Sequence, residues 1–523
     1  MADITKLYGP PGTGKTTWLI NKLKETVDGE NVKIQDVMFV SFSNSAINEA
    51  CERIGVDKGG AVTPYFRTLH GLCLSWLTKQ SPGLRYIVET MQAYDFIEGL
   101  QAKFCQDLGI PYIKGDDGSE ALGNRIFSLW TRTIGEHYPK KRNVQACLDL
   151  LYKVNNEAGH VIELWLKIKE KTGIIDFNDM LIEAYEDDIF IDAKVGFIDE
   201  VQDFNSLEFE IVRKLIEGLD TVYLAGDDDQ AIYGWKGARP EFFLNFKGEE
   251  HVLPKSWRVP SEIWKLAGGI ISQIKTRKAK TIIPAFNGGG WNILKRMSFD
   301  EIVRTAAFLS RRHPDKTVFL LFRTNKMVYY AERILISLRV PFKKLKGESP
   351  WDKEILTAWN VVAKLRGKQP LNIQEKFWLI ENLREEILPQ HLKEGALKSL
   401  AEGGLPIQFF EVLQSKGDPI NLINFRSKRT AKIVQDAYHP VVEEKINLYV
   451  DTIHASKGKE ADIVVLADAI TQNIASELRN GGRESELRLF YVGVTRAKNF
   501  VIVAPLYKFR PFLTQEVVAC AHV

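Results

Sequence analysis

One short stretch constrains this chain more than any other. Gly9-Pro10-Pro11-Gly12-Thr13-Gly14-Lys15-Thr16 fits the spacing G-x-x-x-x-G-K-[ST]. A short apolar run, 4–8, precedes it, and Leu19, Ile20, Leu23 and Val27 follow at helical spacing. Strand, glycine-rich turn and helix in that order make a phosphate cradle. The glycines let backbone N–H groups approach phosphate oxygens, and the helix N-terminus adds its dipole. Lys15 can reach the β- and γ-phosphates, and the Thr16 hydroxyl can ligate Mg²⁺. The nucleotide-binding set expected from this stretch is Gly9, Pro10, Pro11, Gly12, Thr13, Gly14, Lys15, Thr16 and Thr17.

Such a cradle belongs to a parallel α/β sheet, and the rest of the chain agrees. Strand-like runs fall at 37–42, 195–198, 221–225, 317–322, 463–467 and 500–504, with a helix expected over 45–54. Two stretches read as helical insertions. The first is punctuated by Gly115, Gly118, Gly123 and Gly159, and the second carries Phe377, Leu379, Ile380, Leu383 and Ile387 at helical spacing. A length of 523 residues fits roughly three or four domains. The expected division is 1–74 with 173–251, a helical insert 75–172, then 252–360 with 443–523, and a small helical insert 361–442.

A phosphate cradle also needs a second metal ligand and a group that activates water. Val195-Gly196-Phe197-Ile198-Asp199-Glu200 is an apolar strand ending in two acids. Asp199 is assigned to Mg²⁺ together with Thr16, and Glu200 to the general base for the attacking water.

Further matches then fall in order. Phe42-Ser43-Asn44-Ser45-Ala46, with Glu49 and Arg53, resembles motif Ia of superfamily-1 helicases of the UvrD/Rep/PcrA type. Thr68-Leu69-His70 resembles motif Ib, Asp176-Phe177-Asn178-Asp179-Met180-Leu181 the D-F-x-D-L-L box, and Asp199 to Asp203 motif II. The run Gly226 to Ala238 resembles motif III, Ser256-Trp257-Arg258 motif IV, Thr452 to Glu460 motif V, and Tyr491 to Ala497 motif VI. The ordered set spans nearly the whole chain.

The resemblance implies two RecA-like P-loop motor domains with parallel sheets, each carrying a mostly helical insertion. It implies ATP and Mg²⁺ as cofactors, and 3′-to-5′ translocation on single-stranded DNA with strand separation. Arg258 and Arg496 fit the two charge-neutralising arginines, placed by the resemblance on the second motor domain. Gln230 would sense the γ-phosphate or orient water. Trp257 would stack on the base, and Gly458 and Glu460 would contact the nucleotide. Phe42, Asn44, Thr68, His70, Tyr233, Trp235 and His454 would hold the strand, by stacking and backbone contacts that tolerate any sequence. The expected partners are single-stranded DNA, single/double-strand junctions and replication or repair proteins, with the chain a monomer or weakly self-associating.

The chain departs from the family pattern in two places. The family's Gln-containing motif precedes the P-loop lysine, and no Gln stands before Lys15. Trp257 stands where the family has Tyr. Weakened selection of ATP over other nucleoside triphosphates is expected. The small second insert also raises a translocase that strips proteins from DNA with little unwinding. A nucleotide-switched binding module is the non-enzymatic alternative, and Glu200, Arg258 and Arg496, all present, argue against it.

Composition narrows the setting. A hydrophobic fraction of 45% and a charged fraction of 26% exclude wholesale disorder. Cys51, Cys73, Cys105, Cys147 and Cys520 contain no C-x-x-C pair, so buried thiols in a reducing, cytoplasmic setting are expected, without disulfides or a zinc ribbon. No run is apolar enough to span a membrane, and no secretory signal is expected. The net charge of +3 conceals two opposed blocks. Residues 174–250 hold 20 acidic and 6 basic side chains, and residues 252–346 hold 20 basic and 5 acidic ones. Part of the basic block, including Lys343, Lys344 and Lys346, is expected to line a DNA path or face the acidic block.

Overall fold

The computed structural model describes residues 2–29, 32–42, 44–58, 62–80, 93–112, 121–346, 351, 353–402, 409–411, 413, 417–425, 428–435, 437, 439–441 and 445–516. Ser43, Gly115 and Gly118 lie outside that set. The chain forms two compact units. The first gathers Met1–Asn292, Ile470–Val501 and Arg510–Val523, and the second Ile293–Ala469 and Ile502–Phe509.

The first unit is built on six strands: β1 (Asp3–Tyr8), β2 (Val37–Ser41), β3 (Phe66–Thr68), β4 (Val195–Ile198), β5 (Thr221–Gly226) and β6 (Glu249–Val252). Their order across the sheet is β3-β2-β4-β5-β1-β6, and every pairing is parallel. The inner strands β2 and β4 are buried at every position, as near-continuous apolar runs in a covered parallel sheet should be. Parallel pairing puts all the strand C-termini on one edge. Motif Ib, motif Ia, motif II, motif III and the P-loop therefore emerge side by side, after β3, β2, β4, β5 and β1 respectively. This edge is where open α/β sheets bind ligands.

The first insert is helical, as expected from its spacing. Helices run over Leu69–Gln80, Ala93–Asp107, Leu122–Lys141, Val144–Val154 and Asn156–Thr172. The D-F-x-D-L-L box caps the next helix, Phe177–Glu186. Asp176 and Asp179 close a capping box at its start. Lys169 then donates to Asp176 at 2.8 Å and to Asp179 at 2.7 Å, and the Trp165 indole N–H donates to Asp176 at 2.9 Å. The box therefore ties the last insert helix to the sheet domain. Burial and the neighbouring Asp176 push the Asp179 carboxyl up to about 6.

Within the same unit, β7 (Lys255–Ser256) pairs in parallel with β8 (Ile283–Pro284). The Gly288–Gly290 turn is present, and Gly289 has φ +71° and lies so close to Pro260 that a Cβ would come within 2.5 Å of its ring.

The other sheet has five strands: β9 (Gly290–Ile293), β10 (Val318–Phe322), β11 (Leu448–Thr452), β12 (Ala461–Asp468) and β13 (Ala497–Pro505), in the order β11-β10-β12-β13-β9. β10 pairs in parallel with β11 and β12. The second unit's core joins β10, β11 and β12 to helices Phe299–Arg312, Asn325–Ser337 and Lys353–Arg366. Helices Ile373–Asn382, Gln390–Ala401 and Lys428–Val434 follow, in the stretch read as the small second insert. Trp351 and Trp359 meet edge to face at 5.2 Å, and the Trp359 indole donates to the His439 carbonyl at 2.7 Å. No helix among the described residues is long and apolar enough to cross a membrane.

Candidate active site

The turn after β1 has the geometry its glycines imply. Gly12 and Gly14 take φ +74° and +77°, a region costly for other residues. The Thr13 hydroxyl donates to the Pro10 carbonyl at 2.8 Å and closes the loop on itself. A Cβ on Gly9 would lie 2.6 Å from the Lys15 Cβ, so the lysine stem packs directly against the loop.

Lys15 is 8% exposed and points between the two acids at the end of β4. Its ammonium lies 2.5 Å from Glu200 Oε1 and 3.4 Å from Asp199 Oδ1. Burial pushes this ammonium toward neutrality, but the charges of Asp199 and Glu200 outweigh burial and hold it well above the ordinary lysine value. The Thr16 hydroxyl donates to Asp199 Oδ2 at 2.8 Å. Two oxygen donors at that separation suit a hard divalent cation such as Mg²⁺. Asp199 is 1% exposed, and burial pushes its carboxyl up against the pull of Lys15. Glu200 is more open and sits at φ +58°, a conformation sparsely populated outside glycine.

Gln202 joins this pair to the loop after β5. Its amide donates to Glu200 Oε2 at 2.5 Å, and its oxygen accepts the Asp227 N–H at 2.9 Å. A Cβ on Gly226 would lie 2.6 Å from that oxygen, so a side chain there would displace the Gln202 amide. In the loop itself, Gln230 donates to Asp227 Oδ2 at 2.6 Å. Its oxygen accepts from Arg496 Nη2 at 3.1 Å. Arg496 is 1% exposed and also donates from Nε to the Val492 carbonyl at 3.0 Å.

Arg258 stands beside the P-loop: a Cβ on Gly12 would meet the Arg258 Cβ at 2.4 Å. The Trp257 N–H donates to the Gly12 carbonyl at 2.7 Å, and the Ser256 hydroxyl to the Pro11 carbonyl at 2.7 Å. The Trp257 ring is 58% exposed, with the Lys255 ammonium 4.1 Å from its centroid. Both arginines belong to the same compact unit as the P-loop. The segment that carries Arg496 packs with motif III: Arg488 donates to the Asp228 carbonyl at 2.9 Å, and also to the Thr276 carbonyl outside that motif at 2.6 Å.

The residues expected to hold DNA fall into four groups. Phe42 and Tyr233 stack at 5.0 Å with 25° between their planes, and Trp235 meets Tyr233 edge-on at 6.5 Å. The Lys236 ammonium lies 4.8 Å from the Trp235 centroid. Thr68 caps the following helix by accepting the Gly71 N–H at 3.2 Å, and Asn44 accepts from Lys58 at 2.8 Å. Thr17, from the nucleotide set, accepts from Arg53 at 3.1 Å. His454, Gly458 (φ +79°) and Glu460 lie in the second unit, on the loop between β11 and β12. From the basic block, Lys344 pairs with Glu332 at 2.8 Å.

His70 packs edge-on to Phe177 at 6.0 Å and lies 4.0 Å from Glu208. Burial, with the Lys236 charge, pushes the imidazole down to about 4. Burial pushes the Glu208 carboxyl up to about 7, against the Asn205 N–H and Lys236. The folded state therefore keeps a proton on Glu208 that the unfolded chain releases near pH 4.5, and this stability is lost as pH rises from 4.5 to 7. Glu208→Gln keeps the capping acceptor and removes the titration. It is expected to match wild type near pH 4 and to be more stable above pH 7, by on the order of 1–3 kcal/mol. Thermal unfolding across pH 4–8 measures this; parallel pH profiles for the two proteins would contradict it.

Sequence spacing alone missed Gln202, Arg277, Lys280 and Arg488. Asp227, Asp228 and Asp229 bring their carboxylates within 4.8 Å of one another, a grouping that could hold a metal. The Lys280 ammonium lies among them instead, at 2.7, 2.5 and 2.9 Å.

Comparison with known proteins finds matches along most of the chain. The UvrD/REP helicase N-terminal domain matches residues 3–251, and the UvrD-like helicase C-terminal domain matches residues 411–505. The chain is similar to a probable DNA helicase II homolog of Mycoplasma capricolum, with 22% identity over 65% of this chain and 50% of that protein. A probable DNA helicase II homolog of Mycoplasma pneumoniae is 22% identical over 96% of this chain and 82% of its own length. DNA helicase II of Escherichia coli is 25% identical over 64% of this chain and 48% of its length. The chain thus spans about half of the first and third of these relatives and most of the second. Two matching domain models in the expected order, covering well over half of the sequence, establish that the chain belongs to the UvrD-like helicase family.

Proposed function

We propose that the chain is an ATP-driven translocase on single-stranded DNA that moves 3′ to 5′ and separates strands. The observation that carries this reading is the convergence of Lys15, Thr16, Asp199, Glu200, Gln230 and Arg496 in one compact unit, linked through Gln202 and Asp227. Lys15 and the P-loop N–H groups bind the polyphosphate. Thr16 and Asp199 would hold Mg²⁺, which would supply charge neutralisation on the polyphosphate. Glu200 is freed from Lys15 when the phosphates take over that ammonium, and it then accepts the proton of the attacking water. Arg496, held by Gln230, and Arg258, beside Gly12, stabilise the charge that spreads over the transferring group.

DNA runs over the motif Ia, Ib and III loops. Bases stack on Phe42, Tyr233 and Trp235, and Asn44, Thr68 and His70 meet the backbone. The two motor domains are 1–74 with 173–251 and 252–360 with 443–523, interrupted by the inserts 75–172 and 361–442. The Trp257 ring completes the nucleotide site, with adenine selected weakly.

Forked and tailed duplexes test this reading. ATP-dependent unwinding of a substrate with a 3′ tail, and little with a 5′ tail alone, is the expected result. Unwinding from 5′ tails only would overturn the polarity. DNA-stimulated hydrolysis without unwinding would favour the protein-stripping translocase, which the small second insert motivates.

A further inference from the structure

Three consecutive carboxylates in the motif III loop, Asp227, Asp228 and Asp229, have no exposed surface. Buried like charges this close repel strongly unless they are neutralised. Neutralisation comes from a segment far along the chain. Lys280 is 1% exposed and reaches all three, and Arg277 grips Asp229 with two bonds of 2.8 and 2.7 Å. The Lys278 N–H adds a third contact, to Asp228 Oδ2 at 2.9 Å.

The two oxygens of Asp227 have different partners. Oδ1 accepts from Lys280 at 2.7 Å and, more weakly, from the Asp229 N–H at 3.3 Å, and Oδ2 accepts from the Gln230 amide at 2.6 Å. This division fixes which way the amide points. Its N–H₂ is held by Asp227, so its oxygen faces Arg496. We propose that Lys280 is a positioning residue for Gln230. By occupying Oδ1, it sets the Asp227 carboxylate, the carboxylate sets the amide, and the amide presents the Arg496 guanidinium in reactive orientation. The inference rests on the reading of Gln230 and Arg496 as groups that act on the γ-phosphoryl, and goes beyond it by naming what holds them.

A double-mutant cycle on the full chain tests it. Wild type, Lys280→Met, Gln230→Ala and the double variant are compared by DNA-stimulated phosphate release across ATP concentrations, with circular dichroism as the check on folding. Lys280→Met is expected to lower kcat by ~10-fold or more while KM for ATP stays within ~3-fold, and the double variant to fall within ~2-fold of Gln230→Ala alone. Multiplying effects in the double variant, an unchanged kcat, or a change in KM alone would overturn the proposal. Where the methionine variant does not fold, Lys280→Gln enters the same cycle, and its amide can still donate to one carboxylate. Wild-type protein without DNA-stimulated hydrolysis sinks the proposed function itself, whereas active wild type with independent Lys280 and Gln230 effects sinks only the positioning role.

Discussion

Lys15→Ala is expected to lose DNA-stimulated ATP hydrolysis by ~10³-fold or more, about 4 kcal/mol of transition-state stabilisation. The size of the effect follows from what surrounds the ammonium. It is buried and lies 2.5 Å from Glu200 and 3.4 Å from Asp199. Removing it takes away the cation that meets the phosphates. It also leaves two carboxylates facing the place where a polyphosphate must enter, so nucleotide affinity falls together with turnover. Titration with a fluorescent nucleotide and steady-state phosphate release measure the two losses separately. A variant with turnover within tenfold of wild type would remove Lys15 from the reaction.

Arg496→Ala is expected to divide the same two quantities differently. Turnover should drop by ~10³-fold, the scale of a charge-stabilising arginine in phosphoryl transfer, with nucleotide affinity changed much less. The side chain is 1% exposed, and its contacts include the Val492 carbonyl and the Gln230 oxygen. Arg496→Lys keeps the charge but cannot keep both contacts, so an intermediate rate is expected. A raised KM with unchanged kcat would instead make Arg496 a ground-state binding group.

Local chemistry made much of this site legible in the sequence. The P-loop is a contiguous spacing, and the strand before Asp199 and Glu200 is an unbroken apolar run, so both could be read without any tertiary information. The strand at 195–198 was found with its observed limits because a fully buried parallel strand leaves no polar residue to blur its ends. The short strands β3 and β6 were missed. β3 has three residues, and β6 carries Glu249, Glu250 and His251 at its exposed sheet edge, where no apolar pattern is required. The cations that hold motif III were missed for another reason. Arg277, Lys278 and Lys280 sit in a run of basic residues that reads as solvated surface. Their role appears only when the fold brings them to acids some fifty positions away. Part of the two opposed charge blocks therefore meets as buried or half-buried ion pairs. Lys6 and Lys278 extend the pattern by sharing Glu250.

The first unit is discontinuous, and this sets an order of assembly. Its P-loop, motif II and motif III lie before residue 292, yet Arg488 and Arg496 come from 470–501, after the whole of 293–469. On the ribosome, the six-stranded sheet can pair as soon as β6 has emerged, because all its strands precede residue 253. Such a nascent chain already holds the Lys15 cradle and both acids, but it lacks the guanidinium that Gln230 receives. On the proposed function, synthesis passes through a stage that holds the phosphate-binding residues before it holds the arginine that acts with them. For part of that stage Asp227, Asp228 and Asp229 also lack Lys280, so the early sheet carries an uncompensated acidic loop. Segments made in that state are the ones most exposed to wrong pairing, and chaperone contact is expected to be concentrated there.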